Sequence, residues 1–214
     1  MEKIEIRPAN IDDLEVITEL HCSSFKPEDH IPMLFGKNYI KANYEWHIKS
    51  DMAYVLVAEI DSNIIGLVGM CDKSFFHPMF KACRNQMVIE LIKKPGIILK
   101  KELWKRLLRR SELSEYGKLI SEYPGMAQMT IGAVDANHRG LNIFPKLVNS
   151  TEKFSRERGS RAIRAGVYRK NSSSRRVFNK LGWIEMPELE TSDTVFYVSF
   201  LDPTLQNELK KIQI

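Results

Sequence analysis

The chain predicts a mixed α/β fold in which helices lie on the faces of one sheet. Three observations carry this. Two apolar runs, "AYVLVAEI" and "IIGLVGMC", are joined by the polar tip "DSN", as in a hairpin. Two strand-loop-helix steps follow one another between residues 126 and 182. Between these regions, residues 74 to 125 carry helical rather than alternating periodicity.

In order, "KIEIRPA" alternates and meets Pro8, as a first strand would. Asn10, with Asp13 three residues later, caps a helix carrying Leu14, Ile17 and Leu20. Pro27, Pro32 and Gly36 break the next segment, after which "KNYIKANYEWHIKS" is helical and the hairpin follows. Within 74–125, "PMFKACRNQMVIELIKK" and "IILKKELWKRLLRRSELSEYGKLISEY" read as two helices separated by Pro95 and Gly96, which makes this segment an insertion. "MAQMTIGAV" returns to strand, "KLVNSTEKFSRERG" is a helix stopped by Gly159, and "RAIRAGVY" is a strand. "NSSSRRVFNKLG" is the last predicted helix, with "WIEM" and "TVFYVSF" as closing strands.

With 214 residues and 43% hydrophobic composition, the chain has enough apolar surface for a core. Its apolar runs are far shorter than the roughly 20 residues of a membrane-spanning helix, and "MEKIEIRP" lacks a signal-peptide h-region; the expectation is a cytoplasmic protein. Cys22, Cys71 and Cys83 are odd in number and show no ligand spacing, which argues against a disulfide framework or a metal site. The net charge of +5 is unevenly spread: residues 73 to 118 hold twelve Lys and Arg against four Glu, leaving −3 for the remainder. Basicity thus belongs to one segment, and no nucleic-acid-binding motif accompanies it.

The stretch "DANHRGLNIFPKL" (135–147) joins a predicted strand to a predicted helix. An anion site at a helix start needs outward backbone N–H groups, the positive end of the helix dipole and a tight turn. Pro145 is tolerated only in a first helical turn, which fixes the helix start near Asn142. Asn142 suits either a cap or a left-handed turn, whereas Phe144 fits a phosphate cradle only with its ring turned to the core. Gly132, in the preceding strand, marks a bulge, a close ligand approach or a tight packing contact.

Taken together, "IGAVDANHRGLNIFPKLVNSTEKFSRERG" and "GVYRKNSSSRRVFNKLGW" resemble the acetyl-CoA-binding core of the GNAT superfamily of N-acetyltransferases. That family shows a strand ending in Val, a loop of the form [RQ]-x-x-G-x-[GA], a helix, a strand, and Asn-x-x-Ala leading to Tyr and then Gly-Phe. Val134, Arg139, Asn171, Ser174, Gly182 and Trp183 take corresponding places. "IEIRPANIDDLEVITELHCSSF" and the hairpin resemble the family's opening, so the likeness covers the chain outside 74–125. The departures are Asn142 and Phe144 at the two small positions of the loop, and Phe178 where many members carry a tyrosine that protonates the departing thiolate.

The resemblance implies a single GNAT-like domain over 1–214, with a mixed, largely antiparallel central sheet and a helical insertion at about 74–125. It implies acetyl transfer from acetyl-CoA, as cosubstrate, to a primary amine of a small acceptor, anionic or neutral, by direct attack. The implied cofactor contacts are Ala133, Val134, Arg139, Gly140, Leu141, Asn142, Ile143, Phe144 and Asn171, with Lys146, Arg175 and Arg176 as further phosphate partners. His21, Asp29 and His30, in the segment the family places over the acceptor, are candidate bases, and Tyr168 or Tyr197 could replace the missing acid. A thiolate leaving group of pKa about 8.5 lies only about 2 kcal/mol uphill at neutral pH. Loss of general acid catalysis then costs a factor of about 10² to 10⁴. The alternative is a binding module with weak chemistry, whose insertion carries Leu99, Leu103, Trp104, Leu107 and Leu108 on one stripe and Lys100, Lys101, Lys105, Arg106, Arg109 and Arg110 elsewhere. Such a helix suits a packed face, an acidic partner or peripheral contact with an anionic membrane.

Overall fold

The computed structural model describes residues 3–28, 30–72, 76–101, 103–104 and 114–212. Strand β1 (Glu5–Pro8) leads through a 3-10 turn at Ile11–Asp13 into helix α1 (Leu14–Ser24). The expected capping box is present, and the Asn10 N–H donates to the Asp13 carboxylate at 2.8 Å. Arg7 donates to the same carboxylate at 2.7 and 2.9 Å, which ties β1 to the start of α1.

A 3-10 turn at Ile31–Phe35, closed by Gly36 at φ 83°, precedes α2 (Lys37–Lys49). Strands β2 (Ala53–Ile60) and β3 (Asn63–Cys71) form the hairpin. Both of its turn residues, Asp61 and Ser62, have positive φ (47° and 65°), the turn sense that matches the right-handed twist of paired strands.

The next segment gives α3 (Phe76–Lys93), a 3-10 turn at Pro95–Leu99 and α4 (Glu115–Ser121). The single helix predicted over 97–123 is therefore corrected: a 3-10 turn opens it, and a new cap sits at Ser114, whose hydroxyl accepts the Gly117 N–H at 2.9 Å. Gly117 lets α4 approach the backbone of the 187–189 turn, since a Cβ there would lie 2.3 Å from the Glu188 carbonyl oxygen. Of the predicted stripe, Leu103 packs beside Phe35 and Ile97, while Leu99 is 86% and Trp104 52% exposed. Lys105, Arg106, Leu107, Leu108, Arg109 and Arg110 lie outside the described residues.

Then come β4 (Met126–Val134), α5 (Ile143–Glu157), β5 (Ala162–Tyr168), α6 (Ser172–Lys180), β6 (Ile184–Glu185) and β7 (Thr194–Phe200). A final helix, α7 (Pro203–Ile212), was not expected. Asp202 caps it by accepting the Thr204 N–H at 2.9 Å, and Pro203 occupies its first position.

The strands form one seven-stranded sheet in the order β1-β2-β3-β4-β5-β7-β6. Every neighbouring pair is antiparallel except β4–β5. On one face, Leu147 and Val148 of α5 and Phe178 of α6 pack on Leu56, Val68, Met70, Ile163 and Tyr197. On the other, Ile17 of α1 and Ile40 and Tyr44 of α2 cover Val55, Val57, Leu67 and Ala133. Beside them, Ile120 of α4 and Leu205 and Leu209 of α7 cover Met126, Ala162 and Val198. A strip of β4 and β5 lies between these two helix pairs.

Candidate active site

Strands β4 and β5 are paired only from Met126–Ala162 to Met129–Ala165 and then part. Beyond that point β4 continues to Val134 along β3, and β5 continues to Tyr168 along β7. A wedge therefore opens in the middle of the sheet. At its apex Gly69 pairs with Ile131 and Met70 with Met129, so Thr130 is an extra residue, a bulge with no register partner in either neighbour. Of the readings open for Gly132, the structure selects tight packing and moves the bulge to Thr130. A Cβ at Gly132 would lie 2.6 Å from Cε2 of Phe144.

The Asp135 N–H donates to the Ile65 carbonyl at 2.8 Å. Because backbone groups alternate along a strand, Gly132 and Val134 turn theirs to the wedge. Arg139 Nε reaches the Val134 carbonyl at 3.4 Å, which draws the loop over the wedge mouth. Ala133 faces the other way, and its side chain is buried against α1 and α2.

Above the mouth, Gly140 has φ 88° and Asn142 is left-handed at φ 60°, ψ 22°, making no side-chain cap bond. Asn142 thus adopts the conformation a glycine would supply. The N–H groups of Leu141, Asn142, Ile143 and Phe144 meet no acceptor among the described residues and sit at the positive end of the 15-residue α5. The Phe144 ring turns inward, edge-on to Phe178 at 6.0 Å and packed with the core. It floors the wedge and leaves the loop backbone outside. Leu141, Lys146 and Arg139 are exposed, and Ile143 is buried in the core. Free donors, a positive helix end and an open strand edge together fit a diphosphate joined to an extended amide chain.

Across the mouth, Asn171 caps α6: its carbonyl oxygen accepts the Ser174 N–H at 3.1 Å, and its amide has no acceptor among the described residues. Arg175 turns away, donating to the Tyr197 hydroxyl at 3.3 Å and pairing with Glu185 at 3.6 Å, while Arg176 is exposed. Phe178 is 1% exposed, stacked on Tyr197 at 5.4 Å and against Trp183 at 5.0 Å. Tyr197 is fully buried beneath it. Tyr168 ends β5 at the open side of the wedge, half-buried and opposite Thr194.

On the opposite face, the loop histidine His30 packs its ring on His21 at 4.8 Å and Phe25 at 5.2 Å. His21 is buried, with Nδ1 2.7 Å from the Tyr44 hydroxyl, and burial pushes its imidazole down to about 4. Asp29 lies outside the described residues. At the wedge apex stands a residue the sequence reading passed over, His47. Its Nδ1 lies 2.8 Å from the Asn43 carbonyl, which makes Nδ1 the donor, and its Nε2 lies 3.2 Å from the Thr130 hydroxyl. Burial lowers His47 to about 4 as well, so it is neutral at pH 7. Next to Thr130 on the same strip, Gln128 Oε1 accepts from Arg164 Nη2 at 2.6 Å. His47 left no signal in the sequence, because its helical partner is the Asn43 backbone carbonyl, which any residue at that position would supply. Arg164 had a signal, a cation inside the otherwise apolar strand "AIRAGVY".

No protein-family profile matches the sequence, and no curated protein does. Solved structures do. PaiA N-acetyltransferase of Thermoplasma acidophilum, in complex with coenzyme A, superposes with a TM-score of 0.60 at 15% identity over 92% of this chain and 99% of its own. An acetyltransferase of the GNAT family from Staphylococcus aureus Mu50 gives 0.56 at 16% identity over 94% and 100%. YncA of Salmonella typhimurium, with its cofactor acetyl-CoA, gives 0.56 at 17% identity over 94% and 95%. With its mixed, largely antiparallel sheet flanked by helices, the chain has the fold of the GNAT-family acetyltransferases.

Proposed function

We propose that this protein is an N-acetyltransferase that uses acetyl-CoA as cosubstrate and passes the acetyl group directly to the primary amine of a small acceptor. The observation that carries this reading is the wedge: β4 and β5 part after Met129–Ala165, directly below unpaired loop N–H groups at the start of α5. The GNAT-fold structures that hold coenzyme A or acetyl-CoA support the choice of cosubstrate.

Bound acetyl-CoA would supply a thioester carbonyl open to attack by an amine. The N–H groups of residues 141 to 144 would hold its diphosphate, with Arg139, Lys146 and the Asn171 amide adding charge and direction. Gly132 and Val134 would pair with its extended arm as a strand would. The Thr130 bulge sets backbone free of both ladders at the apex, where a donor toward the carbonyl oxygen lowers the barrier most. On the acceptor side, His47 Nε2 takes the Thr130 hydroxyl proton as a hydrogen bond, which leaves the threonine oxygen to accept an N–H from the incoming amine. This holds the amine in line with its target. Attack forms the amide C–N bond and breaks the C–S bond, and the amine's excess proton leaves through water. Tyr168, at the open side of the wedge, is the candidate to protonate the thiolate in place of the tyrosine absent at Phe178.

Calorimetric titration with acetyl-CoA tests the proposal: micromolar binding is expected, and absence of heat up to millimolar concentration would sink it. In the same preparation, Tyr168→Phe should lower kcat about 10²-fold with unchanged acetyl-CoA affinity.

A further inference from the structure

The strip of β4 and β5 between α2 and α4 contains a cation that no carboxylate among the described residues neutralises. Arg164 stands on β5 one rung inside the wedge apex, paired in register with Gln128 and Val198. Its Nε is sealed from solvent and has no acceptor. Its Nη2 donates to Gln128 at 2.6 Å, which with the sealed Nε leaves the Nη1–Nη2 edge as the one a ligand could use. Burial holds the guanidinium down at about 10, still fully charged at neutral pH, and Glu122 is the carboxylate whose field supports that charge. Arg164 is half-buried, and a charge drawn this far from water is costly unless it is paired and hydrogen-bonded.

The surroundings are built for access. Gly166, next along β5 on the same face, is exposed, and its missing side chain lets the Phe196 ring lie against the strand, 3.0 Å from where a Cβ would be. On β4 the same face carries Gln128 and then Thr130 with its His47 partner, so cation, orienting amide and amine-accepting hydroxyl follow one another toward the wedge. One fixed guanidinium edge matches one carboxylate in two-pronged geometry. The field of Glu122 on the same cation disfavours a dianion such as phosphate.

We propose that Arg164 binds a carboxylate of the acceptor, which makes the substrate an amine bearing a carboxylate a short chain away. This rests on the acyl-transfer reading above and names the substrate class for the same site. Gln128 is a positioning residue that holds the guanidinium fork in the plane of the strip.

Two measurements on the full chain test it. In thermal unfolding, millimolar malonate or glutarate, at ionic strength matched with chloride, should raise the midpoint of the wild-type protein and leave Arg164→Gln unmoved. In acetyl-CoA turnover followed by thiol release, amino acids should be preferred over their primary amides, and Arg164→Gln should raise KM for the acids about 10- to 100-fold with kcat and the amides little changed. No carboxylate effect in the wild type, or an equal loss for acids and amides, overturns the assignment. A midpoint rise with inorganic phosphate that Arg164→Gln abolishes overturns the choice of carboxylate. If Arg164→Gln does not fold, Arg164→Lys carries the test: it keeps the charge without the fork, and undiminished protection by glutarate overturns the proposal. Acetyl-CoA titration separates the two readings. Carboxylate protection without acetyl-CoA binding rejects acyl transfer and keeps the anion site; the reverse rejects the anion site alone.

Discussion

Gly132→Ala tests the packing that makes the wedge floor. The added methyl would sit 2.6 Å from Phe144 Cε2 and 3.3 Å from Cζ, against about 3.4 Å for an ordinary close contact, so the ring must move by nearly 1 Å. It is held edge-on by Phe178, itself 1% exposed, and has little room to yield. Overpacking of this kind costs about 1–3 kcal/mol. Phe144→Ala removes a half-buried ring, which costs about 2 kcal/mol, below the range for a fully buried phenylalanine. In the double variant the methyl occupies space the ring has vacated, so stability should match Phe144→Ala alone and the coupling should be about 1–3 kcal/mol in favour of the pair. Urea unfolding followed by circular dichroism measures all four corners of the cycle. Additivity within about 0.5 kcal/mol would refute the contact. Gly132→Ala should also weaken acetyl-CoA binding, because the displaced ring shifts the floor against which the arm lies.

Two further outcomes follow from single residues. His21 and His47 are neutral in the fold, with folded values near 4 against an ordinary 6.5. A depressed folded value means that their contribution is complete above about 6.5 and is lost as pH falls toward 4, about 3 kcal/mol for each, so urea midpoints should drop steeply across that window. His47→Gln should flatten the drop, and an unchanged slope would show that other groups cause it. At Asn171, aspartate keeps the oxygen that caps Ser174 but removes the amide donor. Asn171→Asp should leave stability within about 0.5 kcal/mol and weaken acetyl-CoA binding, while Asn171→Ala should lose about 1 kcal/mol of stability. Undiminished binding by the aspartate variant would make the residue a cap and nothing more.

The parts legible in the sequence are those fixed by local chemistry. Asn10 and Asp13 form a capping box because spacing and residue types alone define it. Pro145 set the start of α5 by its missing N–H, and Asn142 took the left-handed turn that short polar side chains tolerate. The parts that escaped are those set between distant residues. Thr130 bulges because of its register with Gly69 and Met70, some sixty residues away in sequence on the neighbouring strand, and "MAQMTIGAV" does not encode that slip. Arg164 becomes an isolated cation only once β4 brings Gln128 beside it. The helix break at Ser114 was hidden by a strong apolar period around it, although Gly117 three residues later was the clue. Asp202 and Pro203 offered a clear helix start that went unread because a strand precedes them directly.

The four shared rungs between β4 and β5 also divide the molecule mechanically. Strands β1 to β4 form one antiparallel ribbon and β5 to β7 another, and the seam is the shortest ladder among the long strands. The sheet therefore behaves as two stiff plates on a short hinge, and the hinge line runs through the place where the acyl group would change hands. Native-state hydrogen exchange would read that division directly, with the amides of Ala127 to Met129 and Ile163 to Ala165 opening at lower free energy than those within either plate.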